Sequence, residues 1–312
     1  MKPITRSLRA FRKSSLVLVL CCLFSCQQTK QSAPELSDNK SSTQQSPIEK
    51  ARQVLVHYWD TVALTDSMVA THPEVGEQAF ADYVLLLWNV PPEVAQEGLR
   101  QFVDKLVPSD KVFLFYKGLF DKYLYDPNSP YRQEELYEAF LQAVIDQPQL
   151  DDLYKIGPRE LISLVRRNKP GTLATDFSYT LSNGTTKRLY GLTTEFVLVY
   201  FNNPDCHECA VVTEKLQASP RIRKYLTAGR LSLLSLYTDE DLAAYWSTLD
   251  SRPGNWINAY DDKAVVKNQS LYDLKAIPAL YLLDKEKKVL LKDVTFEALE
   301  QYLMVMENKQ YL

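Results

Sequence analysis

The stretch FVLVYFNNPDCHECAVVTEKL, residues 196–216, decides how the second half of this chain is read. Phe196 to Phe201 is continuously apolar, the pattern of a central strand covered on both faces. A short polar turn leads to Cys206-His207-Glu208-Cys209, and Val211, Val212 and Leu216 then recur at helical spacing. The two cysteines therefore sit where a strand hands over to a helix. Spacing alone leaves a redox pair, a metal clamp or two incidental thiols open.

Cysteine usage narrows the choice. Five basic residues, Lys2, Arg6, Arg9, Arg12 and Lys13, precede an apolar segment from Leu16 to Phe24. That is a signal-peptide layout over residues 1–25, and the apolar segment is shorter than the roughly 20 residues a spanning helix needs. It ends LFSC, which resembles the bacterial lipobox, and the resemblance implies cleavage before Cys26 and lipidation of it. Ordinary signal cleavage nearby is the alternative. Residues 26–45 are polar, without aromatic residues, and read as a disordered tether. Cys21 and Cys22 then leave with the signal and Cys26 is committed to lipid, so Cys206 and Cys209 are the thiols that remain. A disulfide closing so short a loop removes little chain entropy, so reactivity rather than stapling is its purpose.

Of 312 residues 46% are hydrophobic, enough for about two packed domains. The net charge of −3 becomes −8 once the five basic residues of the signal are removed, which argues against nucleic acid as a partner. The chain divides near residue 170. Ser46-Pro47-Ile48-Glu49 is a capping box with proline in the first turn, and helical patterns follow over about 74–89, 92–107, 110–125, 131–146 and 151–167. Ser129-Pro130 with Glu134 repeats the helix-start signature. Residues 46–168 are thus expected to be all-helical, with aromatic residues that either line a ligand groove or, more simply, fill the core. The segment YLYDPNSPYRQEELYEAFLQAVI resembles a helical domain of unknown function that precedes thioredoxin-like domains in Bacteroidetes lipoproteins.

After Lys169-Pro170-Gly171 the period changes. DFSYTL and TTKRLY flank Ser182-Asn183-Gly184, which suits a hairpin turn; LSLLSLY and ALYLLD read as buried strands, KKVLLKDV as an edge strand, and Phe296–Met306 as a closing helix. Residues 170–312 resemble the thioredoxin superfamily, in particular its TlpA-like exported branch, through PGTLATDFSYTLSNG, FVLVYF, CHEC and AIPALYLLDKEKKVL. The resemblance implies an α/β thioredoxin-like domain after the all-α one, a cis peptide before Pro278 facing the two sulfurs, and thiol-disulfide exchange on protein disulfides with a further redox partner. It implies no cofactor. Cys206 is then the nucleophile, favoured as thiolate by the helix N-terminus and by His207 when protonated, with Asp205 and Glu208 opposing; Cys209 resolves the mixed disulfide.

Three departures qualify this expectation. Asp205 stands where thioredoxins carry Trp, and Tyr200 where they carry a buried Asp that assists proton transfer, which leaves Glu208 or a water for that task. About thirty extra residues lie between Cys209 and Pro278; their Trp246, Trp256 and Tyr260 either shape a substrate groove or pack an inserted helix and loop. Competing chemistries fit less well. Ala210 stands where haem attachment needs His, and a closed zinc site would have to draw on His57 and His72 far along the chain. No Thr precedes Cys206 at the spacing of a peroxidase. A tethered binding protein with a redox-inactive thioredoxin-like scaffold is the reading from another class. Gln27 after Cys26 points to the outer membrane, and the absence of an acidic run in Gln27, Gln28, Thr29 and Lys30 to the periplasmic face.

Overall fold

The computed structural model describes residues 46–309; the segments expected to be signal, lipidation site Cys26 and tether lie outside them. The Ser46 hydroxyl accepts the Glu49 N–H at 3.2 Å and so caps the first helix, Pro47–His57. Helices Gln78–Trp88, Pro92–Leu106, Asp110–Phe120, Glu134–Asp146 and Ile156–Arg166 follow. Each turns one apolar stripe inward; Pro92–Leu106 buries Val94, Ala95, Leu99, Phe102, Val103 and Leu106, singly or in adjacent pairs that recur every three or four residues. Most aromatic residues of this half are core or pack against it, although Trp88 is exposed. Trp59 stacks on Phe102 with ring centroids 4.0 Å apart, and Phe120 on Phe140 at 3.7 Å.

One helix begins later than its sequence signature suggests. Ser129 does not cap: its hydroxyl donates back to the Tyr123 carbonyl at 2.5 Å and accepts the Tyr131 N–H at 3.2 Å. Gln133 is extended, and the helix opens at Glu134, whose carboxylate is drawn to lysines of the other half instead of reaching back to a cap. Residues 126–133 therefore form a loop folded against the preceding helix end.

The second half is a seven-stranded sheet. Its strands are β1 (Ser178–Leu181), β2 (Thr186–Arg188), β3 (Phe196–Asn202), β4 (Leu231–Tyr237), β5 (Ile257–Tyr260), β6 (Ala279–Asp284) and β7 (Val289–Leu291), in the order β2-β1-β5-β4-β3-β6-β7. β3 runs parallel to β4 and antiparallel to β6, and all seven of its residues are buried. Val197, Val199 and Phe201 enter the core on one face; Leu198 and Tyr200 enter the core on the other, beneath helices His207–Ala218 and Phe296–Lys309. The unbroken apolar run of β3 follows from this two-sided burial. β1 and β2 form the hairpin, with Gly184 at φ +81° where an L side chain would be strained. β5 was hidden in the stretch read as surplus, and β7 is the edge strand at the far end of the sheet. Among the described residues no helix is long and apolar enough to cross a membrane.

Both halves belong to one compact unit. Their contact is polar and buried: Lys275 bridges Glu134 (2.6 Å) and Asp273 (2.9 Å), Lys292 reaches Glu134 (2.8 Å) and the Val165 carbonyl (2.7 Å), and Arg132 reaches Asp293 (2.7 Å). The Tyr125 hydroxyl donates to Asp273 at 3.0 Å and its ring lies 4.5 Å from the Lys275 ammonium.

Candidate active site

The site forms where β3 ends in the middle of the sheet. Asn203 shapes the turn that follows: its side-chain oxygen accepts the Asp205 N–H at 2.9 Å and its carbonyl accepts the Cys206 N–H at 3.2 Å, while its amide donates to Asp239 at 2.6 Å. Cys206 is the N-cap of helix His207–Ala218, extended at φ −93° and ψ 116°, and its Sγ accepts the Cys209 N–H at 3.1 Å. Thiolate charge on Cys206 would meet a backbone donor and the positive end of the helix. Cys206 is half-buried and Cys209, one turn on, is 2% exposed; both are free thiols.

Cys206 Sγ lies 3.6 Å from the carbonyl oxygen of Ile277, and the Ile277–Pro278 peptide is cis. Residues more than seventy positions apart are thereby brought together. His207 and Glu208 are exposed at the start of the helix, and Glu208 lines a groove of about 300 Å³ together with Pro278. Cys209 faces elsewhere, onto a pocket of about 240 Å³ lined also by Asn202, Thr213, Arg252, Trp256 and Asn258. Glu208 is absent from that lining.

Cys209 is hard to deprotonate in this dithiol state. Burial first, and then the hydrogen bond and charge of Cys206, push its thiol up to about 12. Tyr200, which stands where thioredoxins carry a buried Asp, donates its hydroxyl to the Cys209 carbonyl at 2.7 Å and lies 3.0 Å from the Thr213 hydroxyl. Its phenol is pushed up, chiefly by burial, so it acts as a fixed donor and not as a base. Of Trp246, Trp256 and Tyr260, Trp256 alone lines the Cys209 pocket. Trp246 is exposed, and Tyr260 packs with Tyr245 at 5.0 Å.

Sequence reasoning missed Arg252. Its guanidinium stacks over Tyr245 at 4.5 Å and donates to Thr248 at 3.3 Å, while Nη1 is buried without a hydrogen-bond partner among the described residues, as is Asn258 Oδ1. These groups come from different elements and carry no local motif. Among the described residues no cluster of three or more His, Cys, Asp or Glu side chains is placed to hold a metal ion.

A crystal structure of a thioredoxin-like protein from Bacteroides caccae is 41% identical, with a TM-score of 0.76, and the match covers 89% of this chain and 99% of that one. The chain belongs to the thioredoxin-like family. The C-terminal domain of an uncharacterized Bacteroides fragilis protein is 47% identical over 44% of this chain and 98% of its own, at a TM-score of 0.43. The thioredoxin domain of a thiol-disulfide oxidoreductase from Bacteroides vulgatus is 17% identical over 43% of this chain and 98% of its own, at 0.38. The model of a domain of unknown function, DUF5106, matches residues 27–168, so a DUF5106 region precedes the thioredoxin-like one. None of the curated proteins matches this chain.

Proposed function

We propose that the protein is a thiol-disulfide oxidoreductase of the reductase or isomerase type, acting on protein disulfides through Cys206 and Cys209. One observation carries this reading: a half-buried Cys206 Sγ accepts the Cys209 N–H at 3.1 Å beside Ile277-Pro278, with the second thiol buried behind it. The Cys206 thiolate attacks one sulfur of a substrate disulfide; the S–S bond breaks, one substrate sulfur leaves as thiolate and takes up a proton, and a mixed disulfide joins Cys206 to the other. Cys209 then loses its proton and attacks the Cys206 sulfur, which releases the second substrate thiol and closes the Cys206–Cys209 disulfide. Two electrons and two protons pass to the substrate, and a dithiol-class redox partner returns them.

The buried position of Cys209 orders these steps. While Cys206 is a thiolate, its charge and hydrogen bond add to burial in keeping Cys209 protonated. Formation of the mixed disulfide removes that charge, so the resolving thiol becomes easier to ionise only once there is something to resolve. The two acidic neighbours of Cys206, Asp205 and Glu208, favour the reading of a reductant or isomerase over a strong oxidant. His207 acts through its charge. With lipid on Cys26 and residues 27–45 as a leash, the domain would work at the outer membrane on the periplasmic side.

The test is trapping with Cys209→Ser in the native host. Mixed disulfides that dithiothreitol dissolves, and that vanish when Cys206→Ser is added, are the expected result. If no adducts form and Cys206→Ser retains full function in the cell, the enzyme reading fails and a tethered binding protein takes its place.

A further inference from the structure

The groove beside Pro278 is built from both halves of the molecule. The thioredoxin-like half supplies Glu208, Val211, Val212, Ile277 and Pro278; the opposite wall is Pro127, Asn128 and Arg132 of the helical half. That wall is fixed in place. Arg132 is tied to Asp293 at 2.7 Å, and next to it Glu134 holds Lys275, two residues before Ile277, at 2.6 Å. The Lys275 and Asp273 side chains are 5% and 2% exposed, so the loop that carries Pro278 is anchored in the helical half. The turn is braced from its own side by Ser129, bonded to Tyr123 and Tyr131, and by Asp126, which accepts the Asn128 N–H at 2.8 Å.

We infer that the turn 127–132 is the second wall of the substrate groove and confines the substrate to an extended segment, and that Glu208 in the same groove selects a segment in which a Lys or Arg neighbours the reacting cysteine. This rests on the oxidoreductase reading above. A substrate joined to Cys206 must lie along Ile277-Pro278, because Cys206 Sγ is 3.6 Å from the Ile277 carbonyl, and it then runs into the wall. A broad folded surface cannot approach there, whereas a single extended strand fits between the walls. The charge of the groove sets the neighbour. Arg132 is spent on Asp293 and Lys215 on Glu297 (2.7 Å), while the exposed Glu208 carboxylate forms no ion pair among the described residues. Val211, Val212 and Ile277 offer an apolar floor to the aliphatic stem of a basic side chain whose head reaches Glu208.

The inference is tested on the full chain with three disulfides: bis(2-hydroxyethyl) disulfide, and two otherwise identical peptide disulfides with Lys or Glu next to the cysteine. The small disulfide reports on the dithiol chemistry alone, and its failure with wild-type protein would sink the oxidoreductase reading and this inference with it. Wild-type protein is expected to prefer the Lys peptide by about threefold or more, the size of an exposed ion pair. Asn128→Trp, which fills the groove from the exposed turn, should lower the ratio of peptide rate to small-disulfide rate about tenfold. Asn128→Lys, which puts a cation into the groove that Glu208 lines, should erase the Lys preference. Should the small disulfide react normally while the wild type treats both peptides alike, or while neither Asn128 variant shifts the ratio, the groove wall is refuted and the oxidoreductase stands.

Discussion

Replacing Glu134 by Gln is the sharpest probe of how the two halves are held together. The Glu134 carboxylate lies 2.6 Å from Lys275 and 2.8 Å from Lys292, with 14% of its side chain exposed. Burial alone would push its carboxyl up, but the two ammonium groups outweigh it and hold it at about 2, against a usual 4.5. That depression corresponds to about 3 kcal/mol of stability at ~1.4 kcal/mol per pKa unit. A depressed carboxyl gives its full contribution above the unfolded-state pKa, so the effect is complete at pH 7, starts to fade below about pH 4.5 and is gone by about pH 2. Glu134→Gln keeps the shape and removes the charge; Lys275 retains Asp273 at 2.9 Å, and Lys292 is left with the Val165 carbonyl. The expected loss at pH 7 is therefore about 3 kcal/mol, or roughly 5 °C in midpoint for a chain of this size. Urea and thermal unfolding of both proteins at pH 7, 5 and 3 measure it. A loss under about 1 kcal/mol at pH 7, or a gap between the proteins that does not narrow from pH 5 to pH 3, would refute the assignment of that stability to the ionised carboxylate.

Alkylation of the reduced protein at pH 8, followed by peptide mapping, should label Cys206 at least about 100-fold faster than Cys209, whose thiol is buried and pushed up to about 12. Equal rates would overturn the order of attack. Tyr200→Phe removes the hydroxyl that joins the Cys209 carbonyl to Thr213, and should cost about 1–2 kcal/mol by chemical denaturation while leaving Cys206 labelling unchanged. No measurable destabilisation would mean that the hydroxyl holds nothing in place.

What the sequence could disclose follows from how local each feature is. Residues 196–216 and 277–284 are legible because two-sided burial of β3 and β6 writes itself as unbroken apolar runs, and because strand, cysteines and helix follow one another without interruption. β5 is four residues long with Asn258 inside it, so neither an apolar run nor an alternation marks it. Ser129-Pro130 misled because a hydroxyl that caps a helix in one setting donates to the Tyr123 carbonyl in this one, and no spacing rule distinguishes the two. Arg252 is invisible for a related reason: in sequence it is a surface arginine beside Pro253, and only the fold brings it over Tyr245 in the lining of the Cys209 pocket.

The charges between the halves are the extreme case. Glu134 is separated from Lys275 by 141 residues, and each reads alone as a solvated side chain. Packed together they do something apolar residues would not. A buried ion network gains little over hydrophobic packing in net stability, yet removing one member leaves a charge stranded at a cost of several kcal/mol. Apolar surfaces tolerate sliding; Lys275 satisfied by Glu134 and Asp273 tolerates little. The network ties the segment that follows the turn 127–132 to the loop carrying Pro278, and residues of both halves line the groove beside the cysteines.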